Sequence, residues 1–144
     1  MKVSNILTTK RHQVITIRPE QSVADAVSLL RQYNIGALLV VADGALVGIL
    51  SERDVVRQLP EYERILLVAV KKLMTKKVIT AVPQDDLMSV AHTMTENRIR
   101  HLPVIDEGQL VGVISIGDVL KVQRDQYRGE IDTLETQILA NSSS

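Results

Sequence analysis

The sequence contains no cysteine, which excludes disulfides, thiolate zinc sites, iron–sulfur clusters and a cysteine nucleophile. Phe and Trp are absent too, and three Tyr are the only aromatic residues. The core must therefore be aliphatic, and stacking platforms for single-stranded nucleic acid are not expected. Neither sign of charge is in excess: 17 Lys and Arg offset 17 Asp and Glu, for a formal net charge of zero. No global field then draws the chain onto nucleic acid or anionic lipid. No apolar run approaches the roughly 20 residues of a membrane span. The start, Met1-Lys2-Val3-Ser4-Asn5, lacks the apolar stretch of a secretory signal. A soluble, cytoplasmic protein with no membrane or nucleic-acid partner is the expectation.

What the chain does have is 45% hydrophobic and 24% charged residues in a length of 144. That supplies one sizeable core, or two small ones packed together. An internal repeat decides for two. A shift of 64 places Val14-Ile15-Thr16 on Val78-Ile79-Thr80 and Pro19 on Pro83. It also places Leu46-Val47-Gly48 on Leu110-Val111-Gly112, Ser51 on Ser115 and Asp54-Val55 on Asp118-Val119. Residues 14–56 align with 78–120 without a gap, at about 14 identities in 43 positions. Upstream, Ile6-Leu7-Thr8 resembles Leu73-Met74-Thr75, with about three extra residues in the first copy.

Each copy reads in the same order. A β-branched run (14–17, or 78–82) ends at a proline and predicts a strand. Apolar residues at 23, 26, 27 and 30, and at 87, 90, 91 and 94, have helical spacing. Ser22 caps the first of these helices, and Asp85 or Asp86 the second. Two apolar strands follow, 37–41 and 46–50 or 102–105 and 110–114, joined through Asp43-Gly44 or Glu107-Gly108. A second helix starts near Ser51 or Ser115. The fold class is therefore α+β: two β-α-β-β-α repeats related by a pseudo-two-fold axis, plus a C-terminal helix. The expected boundaries are 1–66 for the first repeat, 67–122 for the second and 123–144 for the helix with a frayed tail. Pro60 with the residues after it, to Leu67, predicts a connecting helix. Leu120, Tyr127, Ile131, Leu134 and Ile138 form a narrow seam on the last helix, broken only by Arg124. Such a seam packs on the parent domain or makes a short coiled-coil-like dimer contact.

The strongest local motif is Gly48-Ile49-Leu50-Ser51-Glu52-Arg53-Asp54, repeated as Gly112-Val113-Ile114-Ser115-Ile116-Gly117-Asp118. One explanation is a capping box, in which the serine oxygen and the carboxylate satisfy backbone N–H groups at a helix start. The other is a ligand site, in which helix-start donors meet an anion and the Asp accepts ribose hydroxyls. The clusters Lys10-Arg11-His12 and Lys71-Lys72 with Lys76-Lys77 serve as solvated loop charge, or as a patch for phosphate tails or RNA. His12, His92 and His101 show no ligand spacing, so no metal is expected. No Walker loop, Gly-x-Gly-x-x-Gly motif or Ser-His-Asp order is visible.

Two such repeats, each ending in Gly-apolar-apolar-Ser-x-x-Asp, resemble a pair of CBS domains. The phrase Arg98-Ile99-Arg100-His101-Leu102-Pro103-Val104-Ile105-Asp106 strengthens the resemblance, which covers residues 1 to about 122. It implies a sensor without catalysis that holds an adenosyl ligand (AMP, ADP, ATP, NAD(H) or S-adenosylmethionine) in clefts between the repeats. It also implies a homodimer and a regulated protein partner. Carried over, Asp118 and Asp54 hold ribose hydroxyls, and Ser115 and Ser51 sit by ribose or phosphate. Thr80 and Thr16 lie beside the adenine with backbone groups of Ile79 and Ile15. The copies differ: Arg53 stands where the second has Gly117, and Arg100-His101 where the first has Gly36-Ala37. The expected better pocket joins Asp118 to Thr80, with phosphate met by Arg53, Arg100 or His101. Leu39 replaces Pro103 in the first copy, whose site is expected to be the weaker. The alternative is an interaction module with vestigial clefts. Inosine monophosphate dehydrogenase carries an inserted CBS pair, but its catalytic barrel and cysteine nucleophile are absent from this sequence.

Overall fold

A computed structural model of the chain describes residues 1–9 and 14–142. The cluster Lys10-Arg11-His12 and the last two serines of the tail lie outside the described residues. The elements run α1 (Val3–Thr9), β1 (Thr16–Ile17), α2 (Val23–Tyr33), β2 (Ala37–Ala42), β3 (Ala45–Ser51) and α3 (Glu52–Gln58). Three short 3-10 turns follow, at Leu59–Glu61, Ile65–Leu67 and Val70–Lys72. The second half has α4 (Leu87–Asn97), β4 (His101–Asp106), β5 (Gln109–Ser115) and α5 (Ile116–Ser142). β1 pairs parallel with β2, which pairs antiparallel with β3, while β4 and β5 form a two-stranded antiparallel sheet.

Local chemistry accounts for most of these boundaries. Ser22 caps α2 by accepting from the Asp25 N–H, and Asp86 caps α4 by accepting from Met88 and Ser89. Asp85 instead accepts from the Val82 N–H and shapes the turn before the helix. Both helices end in a left-handed residue, Asn34 and Arg98, whose N–H reaches back to the last turn. The hairpins turn through Asp43-Gly44 and Glu107-Gly108, each with two positive φ values in succession. That is the backbone that matches strand twist.

Two expectations are corrected. The run 78–82 does not form a strand: only Ala81 bridges Val104, through two backbone bonds with Pro103 and Ile105. Residues 78–80 stay off the sheet, and β1 likewise shrinks to Thr16–Ile17. The connecting helix is replaced by the 3-10 turns, because the connector's backbone is bonded elsewhere. Val70 N–H donates to the Gln21 carbonyl, Lys71 N–H to Pro19, and the Val68 carbonyl accepts from Val23. Beyond Asp118 the chain continues as a single helix, α5, unbroken from Ile116 to Ser142.

Packing crosses the repeat boundaries. The core of the second repeat (Ala81, Leu87, Val90, Met94, Leu102, Val104, Ile114 and Val119) is completed by Val3 and Ile6 of α1. The core of the first (Ile17, Val23, Ala26, Leu30, Leu38, Val40 and Leu50) is completed by Ile65, Val70 and Leu73 of the connector. The two arrangements correspond bond for bond. Val3 donates to Asp85, Ser4 to Pro83 and Leu87 to Met1, as Val70, Lys71 and Val23 do in the first half. A Cβ on Gly112 would sit 2.6 Å from Leu7, and one on Gly48 2.6 Å from Met74. Each glycine therefore admits the lead segment of the other repeat against its strand. Ile6→Ala is expected to destabilise the protein by about 2–5 kcal/mol in urea unfolding, although Ile6 lies outside both β-α-β-β-α units. A change under about 0.5 kcal/mol, typical of surface positions, would show that α1 is not part of the core.

Candidate functional site

The motif serines and aspartates are capping boxes in both copies. Ser51 N–H donates to Asp54 Oδ2 at 2.9 Å, and Asp54 N–H donates to Ser51 Oγ at 3.1 Å. Ser115 and Asp118 repeat this at 2.8 and 3.1 Å. The first explanation of the motif is thus realised, and each box contributes about 1 kcal/mol to its helix. The second is not displaced by it. Asp54 Oδ1 takes no part in the box, and the serine hydroxyl still has a proton to donate.

Two cavities lie where the halves meet. The larger, about 410 Å³, is lined by Ser51, Glu52, Arg53, Asp54 and Arg57 of the first half. From the second half it takes Val78, Ile79 and residues 98–101, with Thr75 and Lys77 from the connector end. The smaller, about 340 Å³, joins Val14, Ile15 and residues 34–37 to His101, residues 111–113 and Ser115, with Leu7 and Leu39. Gly36, Ala37, Ile49 and His101 line both cavities and form their common wall.

The pairing of residues is crossed. Asp54 and Ser51 share a cavity with Ile79, Arg53, Arg100 and His101, whereas Ile15 shares the other with Ser115 and His101. The expected grouping of Asp118 with Thr80 is not found: among the described residues that line the cavities, neither appears, and neither does Thr16. The reason is the packing already described. Each lead segment docks on the opposite repeat, so the first-strand residues that follow it open toward the opposite helix start. Residues 78–79 are off the sheet and line the larger cavity.

The larger cavity has a mixed lining. Val78, Ile79, Ile99, Ile49 and Ala37 supply apolar surface, Arg53, Arg57, Lys77, Arg98 and Arg100 supply cations, and Glu52 and Asp54 supply carboxylates. Apolar surface, cations and a carboxylate in one cavity are the ingredients for a ligand with an apolar ring, an anionic group and hydroxyls. The sequence reading did not single out Arg57 or Arg98 as site residues. Arg57 stands one helical turn beyond Arg53, which is the signal that locates it. Lys77 belongs to a cluster already read as able to meet phosphate. Main-chain bonds tie each helix start to the residue before its neighbouring strand: Glu52 N–H donates to Gly36 O and Ile116 N–H to Arg100 O, both at 2.9 Å. No group of three or more His, Asp or Glu suited to a metal ion is found among the described residues. None of their helices is long and apolar enough to cross a membrane.

Comparison with known proteins places this geometry. The CBS domain family model matches residues 3–61 and again 70–125. The CBS domain-containing protein YhcV of Bacillus subtilis is 32% identical over 117 residues, covering 81% of this chain and 84% of its own. The CBS-domain protein ATU1752 of Agrobacterium tumefaciens superposes with a TM-score of 0.81 at 36% identity, over 85% of this chain and 99% of that one. Two more distant structures hold ligands. CBSX2 in complex with AMP matches at 26% identity and TM-score 0.75, over 88% of this chain and 98% of its own. The CBS pair of MJ0100, with 5′-methylthioadenosine and S-adenosyl-L-methionine, matches at 27% and 0.76 over the same shares. With two family matches in tandem and the crossed packing of both halves, this chain belongs to the CBS-domain family.

Proposed function

We propose that the protein is an adenine-nucleotide sensor that binds AMP, ATP or NAD(H) in the larger cavity and responds by changing shape, without catalysis. The observation that carries this reading is the composition of that cavity: a ribose-competent carboxylate from one repeat, apolar walls and five cationic side chains drawn from both halves. AMP and S-adenosylmethionine in the related structures support the adenosyl class. Adenine lies against Ile79 and its unpaired backbone, Asp54 accepts ribose hydroxyls, and the phosphates meet Arg53, Arg98 and Arg100. Arg suits this end because its fork takes two phosphate oxygens at once. Because the cavity straddles both repeats, a bound ligand favours the arrangement that brings them together. A soluble, cytoplasmic homodimer that passes this state to a partner completes the reading.

Local strain supports a role for Arg98. The first repeat places Asn34 at the left-handed helix end, a residue type that tolerates it, while the second places Arg98 there at φ 54°. A long side chain in that conformation costs about 1 kcal/mol or more, and such costs concentrate at functional positions.

Thermal unfolding with AMP, ATP, NADH and adenosine tests the proposal. A ligand at about 100 times its Kd adds roughly 2.7 kcal/mol, a rise of several degrees for a chain of this size. No shift with any of the four at millimolar concentration overturns it in favour of an interaction module with vestigial clefts. Asp54→Ala should weaken binding roughly ten- to hundredfold, as loss of hydrogen bonds to a charged acceptor does. Asp118→Ala should weaken it less, and the opposite order would overturn the assignment of the site to the larger cavity. Arg100→Ala should lower affinity for ATP and flatten its salt dependence, while leaving adenosine affinity unchanged. An equal loss for adenosine would mean that Arg100 shapes the pocket and does not meet phosphate.

A further inference from the structure

Beyond Gln123, whose amide reaches Met88 Sδ at 3.8 Å, α5 leaves the body of the protein. Tyr127, Ile131, Leu134 and Ile138 follow at steps of four, three and four, and are 65%, 37%, 58% and 65% exposed. This is the a/d spacing of a two-stranded coil, extended to polar residues by Arg124 before it and Asn141 after it. Gly129, the one weak helix former, falls on the opposite face and has nothing near it. An apolar stripe of this length on a projecting helix needs a partner.

We infer that the stripe is covered by the same helix of a second copy, running antiparallel, with Ile131 against Leu134 of that copy and Tyr127 against its Ile138. Charge decides the direction. The basic residues of this stretch, Lys121, Arg124 and Arg128, precede the acidic residues Glu130, Asp132 and Glu135, apart from Asp125. In a parallel pair the flanking positions would set Glu130 against Glu135, and Arg124 would meet its own copy inside the seam. Both are like-charge contacts. The antiparallel register sets Arg128 against Glu135 twice, Glu130 against Gln137, and Arg124 against Asn141 at each end. Shifting that register by one heptad toward the N-terminus brings Arg128 against Arg128 and Glu130 against Glu130. One direction and one register thus remove every like-charge contact at the flanking positions. This inference is independent of the ligand reading.

The absence of cysteine makes the test direct. Full-length R124C and N141C proteins are oxidised separately and then as a mixture. In the antiparallel pair the two different positions face each other within disulfide reach. Identical positions lie roughly 25 Å apart along the axis, from 1.5 Å of rise per residue. A disulfide in the mixture, with none in either protein alone, is the expected result. Disulfides within each protein alone would establish a parallel pair and overturn the inference. No disulfide in any sample would also overturn it, since the stripe then meets something other than this helix. A charge exchange gives a second readout on the mixture. E135R should reduce the mixed disulfide and R128E/E135R should restore it. A parallel pair would instead be strengthened by E135R, which relieves its Glu130–Glu135 contact.

Discussion

Leu7 against Gly112 and Met74 against Gly48 are the contacts on which the rest of the molecule depends. Each is made by the segment that leads into one repeat and is received by the last strand of the other. Two small sheets with a helix pair each would otherwise be marginal, because half-domains of this size bury too little surface to stand alone. The crossed segments remedy this. Val3 and Ile6 close one core, and Val70 and Leu73 close the other. A fully buried aliphatic side chain contributes about 1.5–3 kcal/mol, so these four residues rival the whole net stability of an ordinary domain. Neither half is complete without chain that belongs, by sequence, to its neighbour.

The same exchange makes the clefts. Because the lead segments cross over, the residues just after them cannot continue into full strands on their own sheets. Val78 and Ile79 are left beside the opposite helix start, and Asp54 comes to share a cavity with Ile79. Under the proposed function the capping box has two uses at once. Its backbone bonds hold the helix start rigid, which keeps the remaining carboxylate oxygen at a fixed place. A zero net charge conceals the electrostatic arrangement, since four of the ten arginines line one cavity while Asp54 and Asp118 recur at matched places in the two halves.

The repeat, both capping boxes, the hairpin turns and the starts of α2, α3, α4 and α5 were legible because each rests on local chemistry: a serine three residues before an aspartate, or a glycine where φ must be positive. The helix α1 carried no such signal. Three further features were not legible. The strand at 78–82 has the right β-branched composition, but its sheet partners are withheld by the tertiary arrangement. The connector has a proline and apolar residues that suit a helix, yet its N–H groups are bonded to Pro19 and Gln21. The grouping of Asp54 with Ile79 depends on which lead segment docks on which repeat. A shift of 64 aligns the copies equally well whether the docking is direct or crossed.

One asymmetry between the repeats connects the site to the assembly. The box in the first half starts α3, which ends at Gln58, whereas the box in the second half starts α5, which continues to Ser142. Ser115 both caps that helix and lines the smaller cavity, and Arg100, at the larger one, accepts the first N–H of α5 through its carbonyl. The long helix is therefore anchored at the wall shared by the two cavities. Its length is about 40 Å at 1.5 Å per residue, so a tilt of a few degrees at the anchor moves the far end by roughly 2–3 Å. Packed seams respond to such displacements by changing contacts, since side chains at that density do not deform continuously. Under the proposed sensor role, a ligand needs only a modest preference between two arrangements of the repeats to alter what the projecting helices do. A rigid lever fixed at the binding site supplies the amplification without any moving loop.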